Sequence, residues 1–358
     1  MILLNPGPVN VSPRVQQALL RGDICHREEE FSALLRRIRE RLISIFGGPG
    51  YTSVVLTGSG TAALEAAVVS SLPEGKKLLV IKNGVYGERI AAMARAHRLP
   101  VVEFSSQWTE RPETTRLADL LKKEREVAVV AMVHHETTTG LINPVRAVGK
   151  ICREKGKLFL VDSISGLGGE EIDPLEEGID LCVGTANKCV QGLPGISFVL
   201  ARTDRMREMA GHPERSLYLH LPRYYEEQEL GSIPYTPSVQ ICYALDEALQ
   251  ELLEEGVARR IRRYRQASGL LRKGFSELGL TFLLPEALRS NTITALRLPE
   301  GRTYADLHDQ LKKRGYVIYA GQGDLSREIF RVANMGHLPL SAFEGFLVSL
   351  SEILKKSA

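Results

Sequence analysis

The chain has 358 residues, 44% hydrophobic and 25% charged, with 46 Lys and Arg against 43 Asp and Glu and a formal net charge of +3. That length and apolar content exclude a disordered chain and fit two or three domains, or one large domain with a smaller one attached. The near balance of charge gives no basis for a nucleic-acid or membrane surface.

The five cysteines (Cys25, Cys152, Cys182, Cys189 and Cys242) are odd in number, widely spaced and without a C-x-x-C pair. This argues against a disulfide framework and against a zinc site, and reads as free thiols in a reducing compartment. Met1 to Pro8 lacks a basic n-region and breaks its apolar run early, so it does not read as a signal peptide. No apolar stretch approaches bilayer-spanning length. A cytoplasmic location is expected.

Along the chain, Ser53–Thr57 reads as a buried strand, followed by Gly58-Ser59-Gly60 and a helix-forming run from Thr61 to Ala67. Lys77–Ile81 is the next strand and Tyr86–His97 the next helix. Val127–His134 is a strand, Val145–Glu154 a helix, and Lys157–Asp162, Asp180–Gly184 and Ile196–Leu200 are further strands. Continuous apolar strands separated by helices predict a mainly parallel sheet covered on both faces. Met206 to Tyr235 is polar and rich in Tyr, Pro and His, and reads as a long functional loop region. A single charged helical stretch is expected from about Val239 to Leu278, its charges forming a solvated face. From Thr281 the order strand, helix, strand, strand, helix (Thr292–Leu296, Tyr304–Arg314, Tyr316–Tyr319, Ile329–Val332, Ser341–Lys355) predicts a small α+β domain. No internal repeat or low-complexity segment is found.

Three local features carry chemistry. Gly58-Ser59-Gly60-Thr61 stands between a strand and a helix. It reads either as a phosphate cradle at a helix N-terminus or as a tight turn capped by Ser or Thr. The G-x-G-x-x-G and G-x-x-x-x-G-K-[ST] nucleotide motifs are not matched. Asp162 ends a buried strand, where ligands of open α/β sheets bind; it meets a cation or metal there, or caps the following turn. Lys188, in Thr185-Ala186-Asn187-Lys188-Cys189, follows a core strand and is flanked by small residues. A desolvated lysine has a lowered pKa and can form a Schiff base, against the plainer reading of a surface lysine. A phosphate cradle, a carboxylate and such a lysine are together the contacts that pyridoxal phosphate needs.

At this point the chain resembles the class V aminotransferases of the type I pyridoxal-phosphate fold. The resemblance is carried by Asn5-Pro6-Gly7-Pro8, Gly58-Ser59-Gly60-Thr61, Asn83-Gly84-Val85-Tyr86-Gly87, His135-Glu136-Thr137-Thr138-Thr139-Gly140, Val161-Asp162-Ser163, the segment from Ala186 to Gly195, and Phe330-Arg331-Val332. It implies an α/β fold with a large, mainly parallel, seven-stranded type of sheet and a small C-terminal α+β domain. The expected division is an N-terminal segment (1–15) near the active site, a large cofactor-binding domain (16–260) and a small domain (261–358). It implies pyridoxal 5'-phosphate as cofactor and no metal. Lys188 would be the catalytic Schiff-base lysine and Asp162 the partner of the ring nitrogen. Ser59, Gly60 and Thr61 would hold the phosphate, Tyr86 would stack on the ring, and Thr137 would approach its phenolic oxygen. Thr236 would reach the phosphate from a neighbouring subunit, making a homodimer with composite sites. Arg331 would clamp the acid group of the substrate, with Gly7 nearby.

The glutamate–threonine run and the segment from Ala186 to Gly195 are similar to the phosphonate branch of that family. They imply transfer of the amino group of 2-aminoethylphosphonate to pyruvate; the alternative is a small amino acid (alanine or serine) with glyoxylate or pyruvate. Gly22 to Glu28 and Asn334 to His337 depart from that branch, and both are expected to face the substrate. A phosphonate has three acceptor oxygens, so its pocket needs donors beyond Arg331; Gly7 N–H, Asn10, Ser12, His26 and Arg27 are the candidates.

Overall fold

The computed structural model describes residues 1–355. Seven strands form one sheet: β1 (Tyr51–Thr57), β2 (Lys77–Lys82), β3 (Val101–Ser105), β4 (Val127–Val133), β5 (Leu158–Asp162), β6 (Leu181–Thr185) and β7 (Ile196–Arg202). Their spatial order is β1-β7-β6-β5-β4-β2-β3. β7 runs antiparallel to both of its neighbours, and the remaining pairs are parallel. The strands are buried almost throughout, apart from the half-buried edge strand β3, because Val, Ile and Leu fill consecutive positions, as a sheet covered by helices on both faces requires. The register sets Val133 opposite Asp162 and Asp162 opposite Val183, so these strands end together at one carboxyl edge.

Helix α1 (Gly60–Ser71) follows β1 and helix α2 (Val85–Ala96) follows β2, both starting at that edge. The expected long helix is two, α3 (Val239–Glu255) and α4 (Val257–Glu277), separated by Gly256 at φ +78°. A glycine in the left-handed region ends a helix with little strain, which a reading of helical periodicity alone passes over. The segment from 206 to 235 is not a plain loop. It includes most of a helix at Thr203–Met209 and another at Leu221–Glu229, and Tyr224 is buried with its ring 6.2 Å from that of Tyr218 and 5.7 Å from that of Tyr235. Tyrosine brings a large apolar body with its polar tip, so this composition builds core as readily as surface.

A second sheet has strands β8 (Ile293–Arg297), β9 (Tyr319–Ala320) and β10 (Ile329–Ala333) in the antiparallel order β8-β10-β9. The strand expected at Tyr316–Tyr319 divides at buried Ile318: Tyr316–Val317 pairs with Ile2–Leu3 of the N-terminus instead. Around the second sheet Leu271, Phe275, Leu296, Phe330, Phe343 and Phe346 form a separate apolar cluster, which Leu4 joins. The N-terminal segment therefore leaves this cluster and passes the carboxyl edge of the large sheet. Among the described residues no helix is long and apolar enough to cross a membrane.

Candidate active site

A cavity of about 160 Å³ opens at the carboxyl edge of the large sheet, lined by Ser59, Gly60, Thr61, Tyr86, Arg89, His135, Thr137, Asp162, Ser165, Asn187 and Lys188 among others. β1 ends at Thr57, and the chain turns through Gly58 (φ +154°) into α1. Ser59 takes the N-cap position in extended conformation, yet no side chain caps the helix. The first N–H groups of α1 are thus left for a ligand, with the positive end of the helix dipole behind them. Gly60 packs so closely on Ile164 that a Cβ would lie 2.9 Å from Cδ1.

Asp162 is 3% exposed, and its Oδ1 accepts the N–H of Ile164 at 3.0 Å. Burial pushes its pKa up to about 6, with the Ile164 bond, Arg89 and Lys188 acting in the opposite direction. Burial lowers Lys188 to about 8, and its Nζ donates to the carbonyl of Pro6. Gly7 presses on the same amine: at φ +116° its Cβ would stand 2.6 Å from Lys188 Nζ. The loop after Lys188 is anchored by Gln191, itself at φ +65°, whose Nε2 donates to Tyr264 Oη at 2.6 Å and to the Gly336 carbonyl at 2.8 Å.

Arg331 lies in β10 with no exposed surface. Its Nε donates to the Ala320 carbonyl at 2.8 Å, and Nη1 donates to the Thr137 carbonyl at 2.6 Å and to Gln322 Oε1 at 3.2 Å. Nη2 has no partner, and the same is true of Thr137 Oγ1 and His135 Nε2. His135 Nδ1 sits 3.2 Å from the Ser165 carbonyl, which can only accept. Nδ1 therefore carries the hydrogen and Nε2 is a bare acceptor. Burial lowers His135 to about 3, so the ring is neutral.

Ser59, Gly60, Thr61, Tyr86, Thr137, Asp162 and Lys188 thus line one cavity, Gly7 touches its lysine, and Arg331 is tied to its wall through Thr137. Thr236 is exposed and lies outside the cavity of its own subunit. Asn10, Ser12, His26 and Arg27 do not line it either. Asn10 bonds to Leu3 N and the Met1 carbonyl, and Ser12 donates to Glu251 at 2.6 Å while capping the helix at Pro13–Ala18. Asn334 to Gly336 serve packing: Asn334 donates to the Tyr264 and Asn291 carbonyls, Met335 is buried, and Gly336 holds Gln191. The cation that sequence reasoning missed is Arg89. It lies three residues after Tyr86, on the same face of α2, with its guanidinium 4.6 Å over the Tyr86 ring and Nη1 3.5 Å from Thr61 Oγ1. A larger cleft of about 730 Å³ between Glu170 to Glu177 and the start of α4 is lined by mixed charges. Its lining has neither a lysine nor a hydroxyl-bearing side chain, whereas the smaller cavity has both.

The aminotransferase class-V family matches residues 15–332. A 2-aminoethylphosphonate–pyruvate transaminase from Syntrophobacter fumaroxidans is 40% identical over 343 residues, 94% of this chain and 92% of that protein. One from Lysinibacillus sphaericus is 35% identical, over 99% of this chain and 96% of its own length. The crystal structure of alanine–glyoxylate aminotransferase from Nostoc sp. superposes with a TM-score of 0.93 at 28% identity, covering 99% of this chain and 95% of that one. With its lysine, aspartate and uncapped helix gathered at the sheet edge, the chain belongs to the class-V aminotransferase family and is an aminotransferase.

Proposed function

We propose that the chain uses pyridoxal 5'-phosphate to transfer the amino group of 2-aminoethylphosphonate to pyruvate, giving phosphonoacetaldehyde and alanine. The observation that carries this reading is a cavity whose buried polar atoms await a ligand: Thr137 Oγ1 and His135 Nε2 lack partners beside the uncapped start of α1, and so does Nη2 of Arg331, which is tied to that wall through the Thr137 carbonyl. Those groups fit the cofactor one by one. Ser59, Gly60 and Thr61 would hold the phosphate, Asp162 the ring nitrogen, Thr137 the phenolic oxygen, Tyr86 a ring face and Lys188 the aldehyde carbon. Thr236 of the partner subunit would add a contact to the phosphate, which makes the working unit a homodimer. When bound, the cofactor supplies an electron sink for the substrate carbon that loses its proton.

The rest is done by the chain's own residues. Lys188, with its pKa near 8, is partly neutral at physiological pH, so Nζ can take the proton from the substrate carbon and return it. Asp162 is buried and aligned by Ile164 N–H, so it can hold a positive ring nitrogen at a fixed place. Arg331 keeps its guanidinium plane through three protein oxygens and offers Nη2 to the substrate anion. Arg89 lines the cavity beside Tyr86 and Thr61, where its charge would act on the cofactor. On this reading residues 1–15 close the lysine side, 16–260 hold the cofactor and 261–358 bring the substrate clamp.

The test is the ratio of kcat/KM for 2-aminoethylphosphonate to that for alanine or serine, each with its best keto acceptor. A ratio far above one is expected. A ratio near or below one abandons the phosphonate and promotes a small amino acid with glyoxylate, the activity named for the Nostoc enzyme.

A further inference from the structure

The N-terminus of α2 is not capped from its own chain segment. Its N-cap position is Gly84, which has no side chain to offer. The first free N–H, of Val85, donates to Thr138 Oγ1 at 3.1 Å, and that of Gly87 donates to Glu136 Oε2 at 3.3 Å. Thr138 is bound to the same carboxylate: its N–H donates to Glu136 Oε1 at 3.1 Å and its hydroxyl donates to that oxygen at 2.6 Å. Glu136 is fully buried; burial pushes its carboxyl up to about 7 while the bonds from Thr138 and Gly87 act in the opposite direction, and every polar contact its carboxyl makes comes from a donor. Gly84 leaves room for it, since a Cβ there would stand 2.3 Å from Glu136 Cδ.

The first turns of α2 are the ones that reach the cavity, through Tyr86 and Arg89. The intervening residue, Thr137, holds Arg331 through its carbonyl. We infer that Glu136 is a positioning residue of the aminotransferase site: with Thr138 it caps α2 from outside the helix and so sets where Tyr86 and Arg89 stand against the bound cofactor. This rests on the pyridoxal-phosphate reading of the cavity. A carboxylate whose task was only to fill a buried space would tolerate any group of the same shape. One whose task is to hold N–H groups in place would not, because hydrogen-bond chemistry and not volume carries the effect.

Two isosteric changes separate these cases. Glu136→Gln keeps the volume but sets an amide donor against N–H or O–H donors. Thr138→Val removes the hydroxyl that accepts from Val85 and donates to Glu136, and Thr138→Ser restores it. The cofactor-free homologous set, parent and three variants, is titrated with pyridoxal phosphate by visible absorbance, and visible circular dichroism is recorded at saturation. Glu136→Gln and Thr138→Val are expected to weaken binding about tenfold or more, the scale of one lost hydrogen bond to a charged group. Both should alter the visible circular dichroism, because the ring's neighbours have moved, and Thr138→Ser should return both measures to the parent's. Folded Glu136→Gln and Thr138→Val proteins with parental affinity and spectrum overturn the inference, as does a Thr138→Ser protein no better than Thr138→Val. If Glu136→Gln fails to fold, the valine and serine variants decide. A parent that takes up no pyridoxal phosphate refutes the cofactor reading, and the inference falls with it.

Discussion

Arg331→Lys tests the substrate clamp most directly. Arg331 spends Nε and Nη1 on the carbonyls of Ala320 and Thr137 and on Gln322 Oε1, and Tyr319 lies under it with its ring centroid 5.3 Å from the guanidinium carbon. These contacts fix the plane of the group and leave Nη2 for a ligand. A lysine ammonium is a point charge with rotatable donors. It cannot keep both carbonyl anchors and also present a fixed donor to a substrate anion. Losing one charge-assisted hydrogen bond costs about 1.5–3 kcal/mol, which corresponds to a fall of roughly 10- to 150-fold in kcat/KM. On the proposed reading both half-reactions would use the clamp, since donor and acceptor each carry an anionic group. Single-turnover kinetics with 2-aminoethylphosphonate and then with pyruvate, at saturating pyridoxal phosphate, should therefore both show the loss. Cofactor affinity should stay within about threefold, because the proposed clamp does not belong to the phosphate cradle at Ser59, Gly60 and Thr61; the threefold margin is well below the effect of one lost hydrogen bond. Much of the preference over β-alanine should be lost as well. A folded Arg331→Lys protein with near-parental kcat/KM for both substrates refutes the clamp, and a loss confined to cofactor affinity places Arg331 elsewhere.

Lys188→Ala should fold but lose essentially all transamination, together with the visible absorbance of lysine-linked cofactor; residual turnover with the parental spectrum overturns the assignment. The lysine also has a signature in stability. Its pKa falls from 10.5 to about 8 in the folded chain, so the unfolded chain binds more protons between those values. Stability of the cofactor-free protein should therefore rise through that window, and thermal unfolding of Lys188→Ala should lack the rise. Asp162 has the opposite sign: raised from 3.8 to about 6, it makes the cofactor-free protein less stable as pH climbs between those values. Asp162→Asn is expected to raise the melting temperature of the cofactor-free protein at pH 8 while slowing turnover far more than it weakens cofactor binding; near-normal turnover sinks the electron-sink role. Thr236→Ala mixed with Lys188→Ala should yield heterodimers with one restored site, and activity no greater than the unmixed proteins predict would argue that each site is built from one chain.

The parts of this molecule that were legible in the sequence are those whose signal is local. β4 and β5 are continuous apolar runs, and Gly58 to Thr61, Asp162 and Lys188 announce themselves by standing at the ends of such runs. What was not legible depends on partners far away in the chain. Arg89 is one of many arginines until α2 sets it over Tyr86 beside Thr61. Glu136 gains its meaning from Gly84 and Gly87, about fifty residues earlier, across a sheet edge. Asn10 and Ser12 were credible substrate donors by composition and proximity to Gly7, but one is taken up by Met1 and Leu3 and the other by Glu251. Side-chain satisfaction of this kind has no periodicity, so no pattern in the sequence reports it.

Arg89, which lines the cavity, and Arg331, tied to its wall through Thr137, share a construction that suits uptake of an anion. Among the described residues neither forms an ion pair; each is held by an aromatic face and neutral oxygens, Tyr86 and Thr61 for Arg89, Tyr319, two carbonyls and Gln322 for Arg331. A carboxylate partner would neutralise the guanidinium before the substrate arrived and would have to be displaced at each half-reaction. Aromatic faces and carbonyls fix position while leaving the charge unspent. The cost is borne in stability: burial lowers the pKa of Arg331, and Asp162 and Lys188, which line the cavity, are pushed toward their neutral forms. Arg331→Lys, which keeps the positive charge but not the planar anchoring, is therefore expected to lose the proposed clamp without gaining an ion pair.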